Sequence, residues 1–324
     1  MSKKIGRLIS LGLNKESSRG TAEAATYWLP KANISFEDKA TKALSTLNYG
    51  VIGEGNQELT ALKYAEGNIE GDVLDKCFGL IFLATFGTLS TASFNGAYKH
   101  TYSLQNDNQH DSLTLHIEDG VDSSQDKYFE LAMINNLELT VVPEDVVKFS
   151  ANFMSKSSGD SVETSSYVAE NKFLGKHCTI KLASLTSGLT AASGISVRQL
   201  TLNINKNLVM DHVLSTVQPE DIFNTKFEVT GQMELVMNDE TYKNYMLDGT
   251  YRAMRIDIVN TDVTIGTTNP AIRLDLSRVA FDTWEATKPN DDLITETINF
   301  RAMYDITNGD IINDCYIVNE VSSY

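Results

Sequence analysis

Three histidines, His100, His110 and His116, fall close together in "HTYSLQNDNQHDSLTLHIE", with Asp107 and Asp111 among them. Imidazole and carboxylate are suitable donors for zinc or manganese. The same residue types also make a polar hairpin loop running into a strand whose His116 points to solvent, and that is the reading we carry forward. No other motif speaks for a catalyst. There is no GxSxG elbow, GxxxxGK[ST] loop or HExxH, and no GxGxxG following a strand. With 43 acidic residues, some pair of carboxylates must lie at a glycosidase-like separation, so a dispersed-carboxylate hydrolase gains nothing from such a pair. The expectation is a protein that is not an enzyme and needs no cofactor or metal.

The totals narrow the class further. The three cysteines, Cys77, Cys178 and Cys315, are odd in number and show no CxxC spacing. They argue for a reducing compartment rather than a disulfide scaffold or a zinc site. A formal net charge of −16 disfavours gripping a nucleic-acid backbone, where affinity comes from Lys and Arg replacing counterions. It does not disfavour DNA passing nearby, and it also suits a protein that is acidic for solubility alone. The most apolar run, "CFGLIFLATFG", is about half of the roughly 20 residues a bilayer span needs, so no membrane contact is expected. The opening "MSKKIGRLISLGLNKESSRG" lacks a clean cleavage site and is not read as a secretory signal.

Elements with β periodicity must position whatever this chain does. Leu113, Leu115 and Ile117 share one side of a strand, as do Leu200, Leu202 and Ile204. Thr225, Phe227 and Val229 alternate with charges, and Ile298, Phe300, Ala302 and Tyr304 alternate with Asn299, Arg301 and Met303. Two helices interrupt this background. In the first, Leu74, Cys77, Phe78 and Ile81 make a stripe that should lie on a sheet, with Asp72 and Asp75 in its opening turns. The second, "MNDETYKNYMLDG", has Asn238 or Asp239 as N-cap, a Tyr242, Tyr245, Met246 stripe and Gly249 as its stop.

The order strand, helix, strand, strand, strand is written twice. Gly67 corresponds to Gly231 before each helix, and the closing strands align Phe149 with Phe300, Ala151 with Ala302, Phe153 with Tyr304 and Gly159 with Gly309. The expected organisation is an N-terminal arm at 1–29, a first β domain at 30–160, a Ser-rich linker at 161–189, a second β domain at 190–312 and a tail at 313–324.

At this point four stretches acquire a common context: "KESSRGT", "GNIEGD" before an apolar helix, "NFRAMYDITNGD" and "VNEVSSY". In this order they resemble the major tail tube proteins of long-tailed bacteriophages, over nearly the whole chain. The resemblance implies a mainly β fold with short flanking helices, here a duplicated tail-tube-type β-sandwich or barrel domain that assembles into a ring. Stacked rings make the hollow tube through which phage DNA leaves the capsid. Tube subunits of this kind often carry one such domain and form hexamers, so two per chain fit a trimeric ring of pseudo-sixfold symmetry, with a true hexamer left open.

The partners implied are further copies of the chain, a tape measure protein, a tail terminator, baseplate or distal tail proteins, and transiting double-stranded DNA that is not held. The place implied is the virion tail, with assembly in the host cytoplasm. Candidate lumen-facing acids, taken from positions opposite apolar strand faces, are Glu118, Glu138, Asp257, Asp275 and Glu296. Candidate inter-subunit residues are Phe82 and Phe86 from the remainder of the apolar run, Lys15 and Glu16 from the arm, and Tyr316 from the tail. The alternatives are the inner tube of a contractile tail or injection machine, and a two-domain β-sandwich binding module of carbohydrate or adhesin type with the "NDNQHD" loop as its site.

Overall fold

The computed structural model describes residues 3–324 except Lys31, Asn48, Glu54 and Asn56. From the N-terminus come β1 (Ile9–Lys15), β2 (Tyr27–Leu29), β3 (Ala32–Ile34), β4 (Glu37–Ser45) and β5 (Gln57–Asp72). Helix α1 (Phe78–Phe86) precedes β6 (Gly87–Phe94), β7 (Ala97–Leu104), β8 (Leu113–Asp119), β9 (Lys127–Val141) and β10 (Lys148–Ser155). Short β11 (Gly159–Asp160) leads to β12 (Cys178–Ala183), β13 (Gly194–Ile195), β14 (Val197–Asn205), β15 (Leu208–Asp211), β16 (Asp221–Asn224) and β17 (Glu228–Val236). Helix α2 (Thr241–Leu247) is followed by β18 (Arg252–Val259), β19 (Ala271–Thr287), β20 (Thr295–Met303) and β21 (Ile312–Asn319). The fold is mainly β with two short helices, and no closed barrel forms among the described residues.

One antiparallel ladder runs through both halves of the chain in the order β4, β5, β10, β9, β14, β17, β20, β19. Its apolar side carries Ile69, Ala151, Leu137, Leu202, Val229, Met233 and Phe300, all buried. Two outer sheets cover this side. The early part of β9 leaves the ladder to pair with β8, which continues to β1 and β2. The early part of β19 sits between β18 and β21, with β12 beyond β18 and β7 beyond β21. Each long strand changes sheet beside a bulge, at Asn152/Phe153 against β9 and at Phe281/Thr283 on β19. The extra residue breaks the pairing and increases the local bend. Buried apolar side chains from Leu11 to Ile317 form one continuous cluster.

Helix α1 is buried on every side, not along one stripe. A helix apolar all round belongs inside a core, and three neighbours enclose this one. Phe82 stacks on Phe78, Phe86 and Tyr102 at centroid distances of 4.7, 5.4 and 5.6 Å. Phe227 reaches Phe86 from the second half. The Tyr324 ring lies where a side chain at Gly79 would be, so any larger residue there would have to displace that ring. Asp72 and Asp75 precede the helix and are not in its first turn. Helix α2 keeps its Tyr242, Tyr245 and Met246 stripe against the core, but none of its residues is buried. Its start differs slightly from expectation: Glu240 is the N-cap, and Asp239 accepts from the Thr241 amide at 2.8 Å.

Neither terminal segment is a loose arm. Strand β1 lies between β2 and β8 with Leu11 and Leu13 buried, and β21 lies between β19 and β7 with Cys315, Ile317 and Val318 buried. The segment read as a linker is also packed. Glu170 accepts from the Lys76 and Cys77 amides, Asn171 bonds Asp75, and β12 forms a full strand.

Candidate assembly face and sheet edges

The side of the ladder turned away from the core is built by the period-2 alternation of its strands. One row across it reads Asn68, Asn152, Asn136, Asn205, each opposite the next in register. A second reads Glu70, Ser150, Glu138, Asn203, Thr230, Arg301. A third reads Asp72, Lys148, Thr140, Thr201, Gln232, Asn299, Thr283. The amides and hydroxyls bond across strands: Gln232 Nε2 donates to Asn299 Oδ1 at 2.9 Å, and Asn299 Nδ2 to Thr283 Oγ1 at 2.7 Å. The face is polar, mostly uncharged, and its cations are few.

Among the described residues, the ladder ends on two strands whose outer borders carry no partner strand. Strand β4 pairs only with β5 and is exposed along nearly its whole length. Residues 280–287 of β19 pair on one side with β20, and on the other the contact with β18 stops at Val279. Such borders present rows of unpaired amides and carbonyls, which are ready templates for another strand.

Of the five acids expected on this face, Glu138 lies there, half-buried beside Thr140. Glu296 shares the side of Ile298 and Phe300, is 2 % exposed, and accepts from Trp284 Nε1 at 2.7 Å. Burial raises its carboxyl above the ordinary range. Asp275 is buried in a bidentate pair with Arg255, at 2.7 and 2.6 Å, and Asp257 pairs with Arg273 at 3.1 and 2.8 Å. Both pairs cross between β18 and β19 in an outer sheet. Glu118 is buried on β8, and desolvation together with Asp126 lifts its carboxyl to about 7. These four acids are therefore core-side or outer-sheet residues.

The residues expected between subunits also move inward. Phe82 and Phe86 are fully buried within the chain and leave no surface for a neighbour. Glu16 is consumed by local bonds, accepting from the Leu131 amide at 2.7 Å and the Gly20 amide at 2.6 Å, and from the Ser112 and Thr114 hydroxyls. Lys15 is half-buried and pairs with Asp111 at 2.6 Å. Tyr316 is half-buried between Lys99 and Arg273, each stacked on its ring, and its phenol is pushed up to about 12, chiefly by burial.

The histidines occupy three separate environments, so they do not gather into a metal site. His100 Nε2 donates to Asn319 Oδ1 and the Val321 carbonyl, both at 2.9 Å. His110 Nε2 donates to the Gln105 carbonyl at 2.8 Å. His116 is buried rather than solvent-facing, and its Nε2 donates to the Glu23 carbonyl at 2.8 Å. Among the described residues no group of three or more His, Cys, Asp or Glu is disposed to hold a metal. The three thiols are free, and no helix among the described residues is long and apolar enough to cross a membrane.

Sequence reasoning missed the asparagine row. Its signal was present in asparagines set between apolar or small residues in "GNI", "NNLEL", "SANF" and "LNIN". What was not present was the register that aligns them.

A broad polar sheet face, bounded among the described residues by two strand borders without a partner strand, is the main surface feature of this mainly β protein. A family model described as phage tail tube protein matches residues 6–302, and the chain belongs to that family. Membership makes it a structural tail protein, implies self-assembly into a tube, and implies a place in the virion tail. No curated protein matches the sequence.

Proposed function

We propose that this chain is the major subunit of the tail tube, that its copies join edge to edge into rings, and that the stacked rings form the conduit for DNA ejection. The observation that carries this reading is the polar ladder face ending on two open borders. Duplex DNA carries one negative charge per roughly 1.7 Å, so a wall rich in Lys and Arg would hold it by counterion release. On this face Glu37, Glu66, Glu70, Asp72, Glu138, Glu228, Glu234 and Glu285 outnumber Lys39, Lys148 and Arg301. Asn, Thr, Ser and Gln fill the remainder, giving a wall that repels weakly and grips nothing.

A duplicated architecture supports a ring of three chains with pseudo-sixfold symmetry. Strands β5, β10 and β9 follow one another in the ladder as β17, β20 and β19 do, and each set is preceded or interrupted by a helix. A tape measure protein inside the tube, a terminator at one end and distal tail proteins at the other are the partners such a conduit requires.

Electron microscopy of the purified chain over a range of concentrations, alone and with isolated tail tips, tests the proposal. Closed rings or hollow filaments are expected. Compact monomers under both conditions overturn it.

A further inference from the structure

Resting on the tube reading, we propose that the joint made inside one chain, β9 against β14, is repeated between chains. Residues 283–288 of one copy pair with residues 34–39 of the next, and the β4–β5 hairpin closes over the joint.

The correspondence of the two halves holds at the level of single residues. Against β9, the pair Asn152/Asn136 is followed by Phe153/Ile134, skipping one residue. Against β19, Asn299/Thr283 is followed by Phe300/Phe281, skipping one as well. Phe153 faces Gly67 on β5, and Phe300 faces Gly231 on β17. A second bulge also recurs: Leu113/Ala132 then Leu115/Phe129 in one half, Arg252/Val279 then Met254/Leu276 in the other. Asn136 therefore answers to Thr283, Leu137 to Trp284 and Leu139 to Ala286. This register differs from the alignment read from sequence, which set Phe149 rather than Phe153 against Phe300.

The other side of the joint transfers in the same way. Ile34 faces Ile69 and Glu37 faces Glu66, while Leu200 faces Met233 and Asn203 faces Thr230. Since Gly67 answers to Gly231, Ile34 answers to Leu200, Phe36 to Leu202 and Glu37 to Asn203. Phe36 and Leu202 are both buried, as equivalent core positions should be. Inside the chain Leu202 sits opposite Leu139, Asn203 opposite Glu138 and Asn205 opposite Asn136. Between chains this places Phe36 opposite Ala286, Glu37 opposite Glu285 and Lys39 opposite Thr283. Both strands have their outer borders open for it. Lys39 then lies diagonal to Glu285, where its charge offsets the Glu37 and Glu285 repulsion.

A clasp accompanies the internal joint. Between β14 and β17 the chain folds back as β15 and β16, seating Leu208 and Ile222 on Leu131 and Met133, with Met154 and Met210 alongside. In the other half the corresponding excursion runs between β4 and β5, and there Leu44, Leu47, Val51, Ile52 and Leu59 are exposed. Arg301 answers to Met154, and close by it Met303, Tyr304 and Ile306 are exposed, Ile306 by 84 %. The apolar tip of one copy and this apolar patch of its neighbour complete each other.

The test is a double variant, Lys39→Cys with Thr283→Cys, oxidised mildly after assembly and run on a non-reducing gel. Single variants and an out-of-register pair, Lys39→Cys with Asp291→Cys, serve as controls. Covalent dimers and closed trimers, at least tenfold above the controls, are expected. Assembled particles in which the in-register pair links no better than the controls overturn the joint while leaving the tube reading standing. Failure of the unmodified chain to form any particle under the microscope sinks both. For the clasp, Leu47→Asp with Ile52→Asp should raise the concentration needed for assembly at least tenfold with the circular dichroism spectrum unchanged. Unaltered assembly removes the clasp.

Discussion

Replacing Phe82 separates a core position from an interface position. Its ring is fully buried and in contact with Phe78, Phe86 and Tyr102. Phe82→Ala removes these contacts and leaves a cavity, a change that costs about 3–5 kcal/mol at a site that cannot collapse. With a urea dependence of about 3 kcal/mol per molar, the unfolding midpoint falls by about 1–2 M. Phe82→Asp adds the burial of a carboxylate, which costs several kcal/mol more. The sum rivals a typical total stability of about 5–15 kcal/mol, so this variant should not accumulate as a folded soluble chain. Urea titration followed by tryptophan fluorescence, with far-UV circular dichroism on the soluble fraction, reads both. A Phe82→Asp chain that is soluble, melts cooperatively and unfolds near the parental midpoint would refute the placement of α1 in the core.

Two further perturbations address buried charge. His110 is 2 % exposed, and burial together with Lys206 and Arg19 lowers its pKa to about 4, so the unfolded chain takes up a proton that the native one refuses. Stability is therefore fully present above about 6.5 and declines as pH falls toward 4, by roughly 3 kcal/mol at one pKa unit per 1.36 kcal/mol; His110→Gln should flatten that slope in denaturation measured across the window. Asp275→Asn strands the buried Arg255 guanidinium and should cost about 3–5 kcal/mol. Most of that loss should return in the Asp275→Asn, Arg255→Met double variant, as read by thermal unfolding.

Much of the β architecture was legible because period-2 alternation is a local signal. The strands around Leu200 and Ile298 lie where their apolar residues put them, and the α2 stripe meets the core. The rest depended on partners distant in sequence. Strands β1 and β21 looked like tails because a short alternation acquires meaning only beside β8, β19 and β7. The spacing of α1 suggested a stripe, but spacing does not reveal that Tyr324, Phe227 and β7 close its other sides. Glu296 was readable and misassigned, since it occupies the same parity as Ile298 and Phe300. Asp275 needed the knowledge that early β19 is sheathed on both sides, which no alternation within the strand conveys.

The pairing of β14 with β9 also bears on how costly it is to build a hoop from these chains. Bringing two separate bodies together forfeits translational and rotational freedom worth an estimated 4–15 kcal/mol. In the ring proposed above, every second seam would already be closed within a molecule and would escape that loss. The shared hydrophobic interior and the β9–β14 pairing tie the two halves of the chain together, so in that ring each chain would join as one piece.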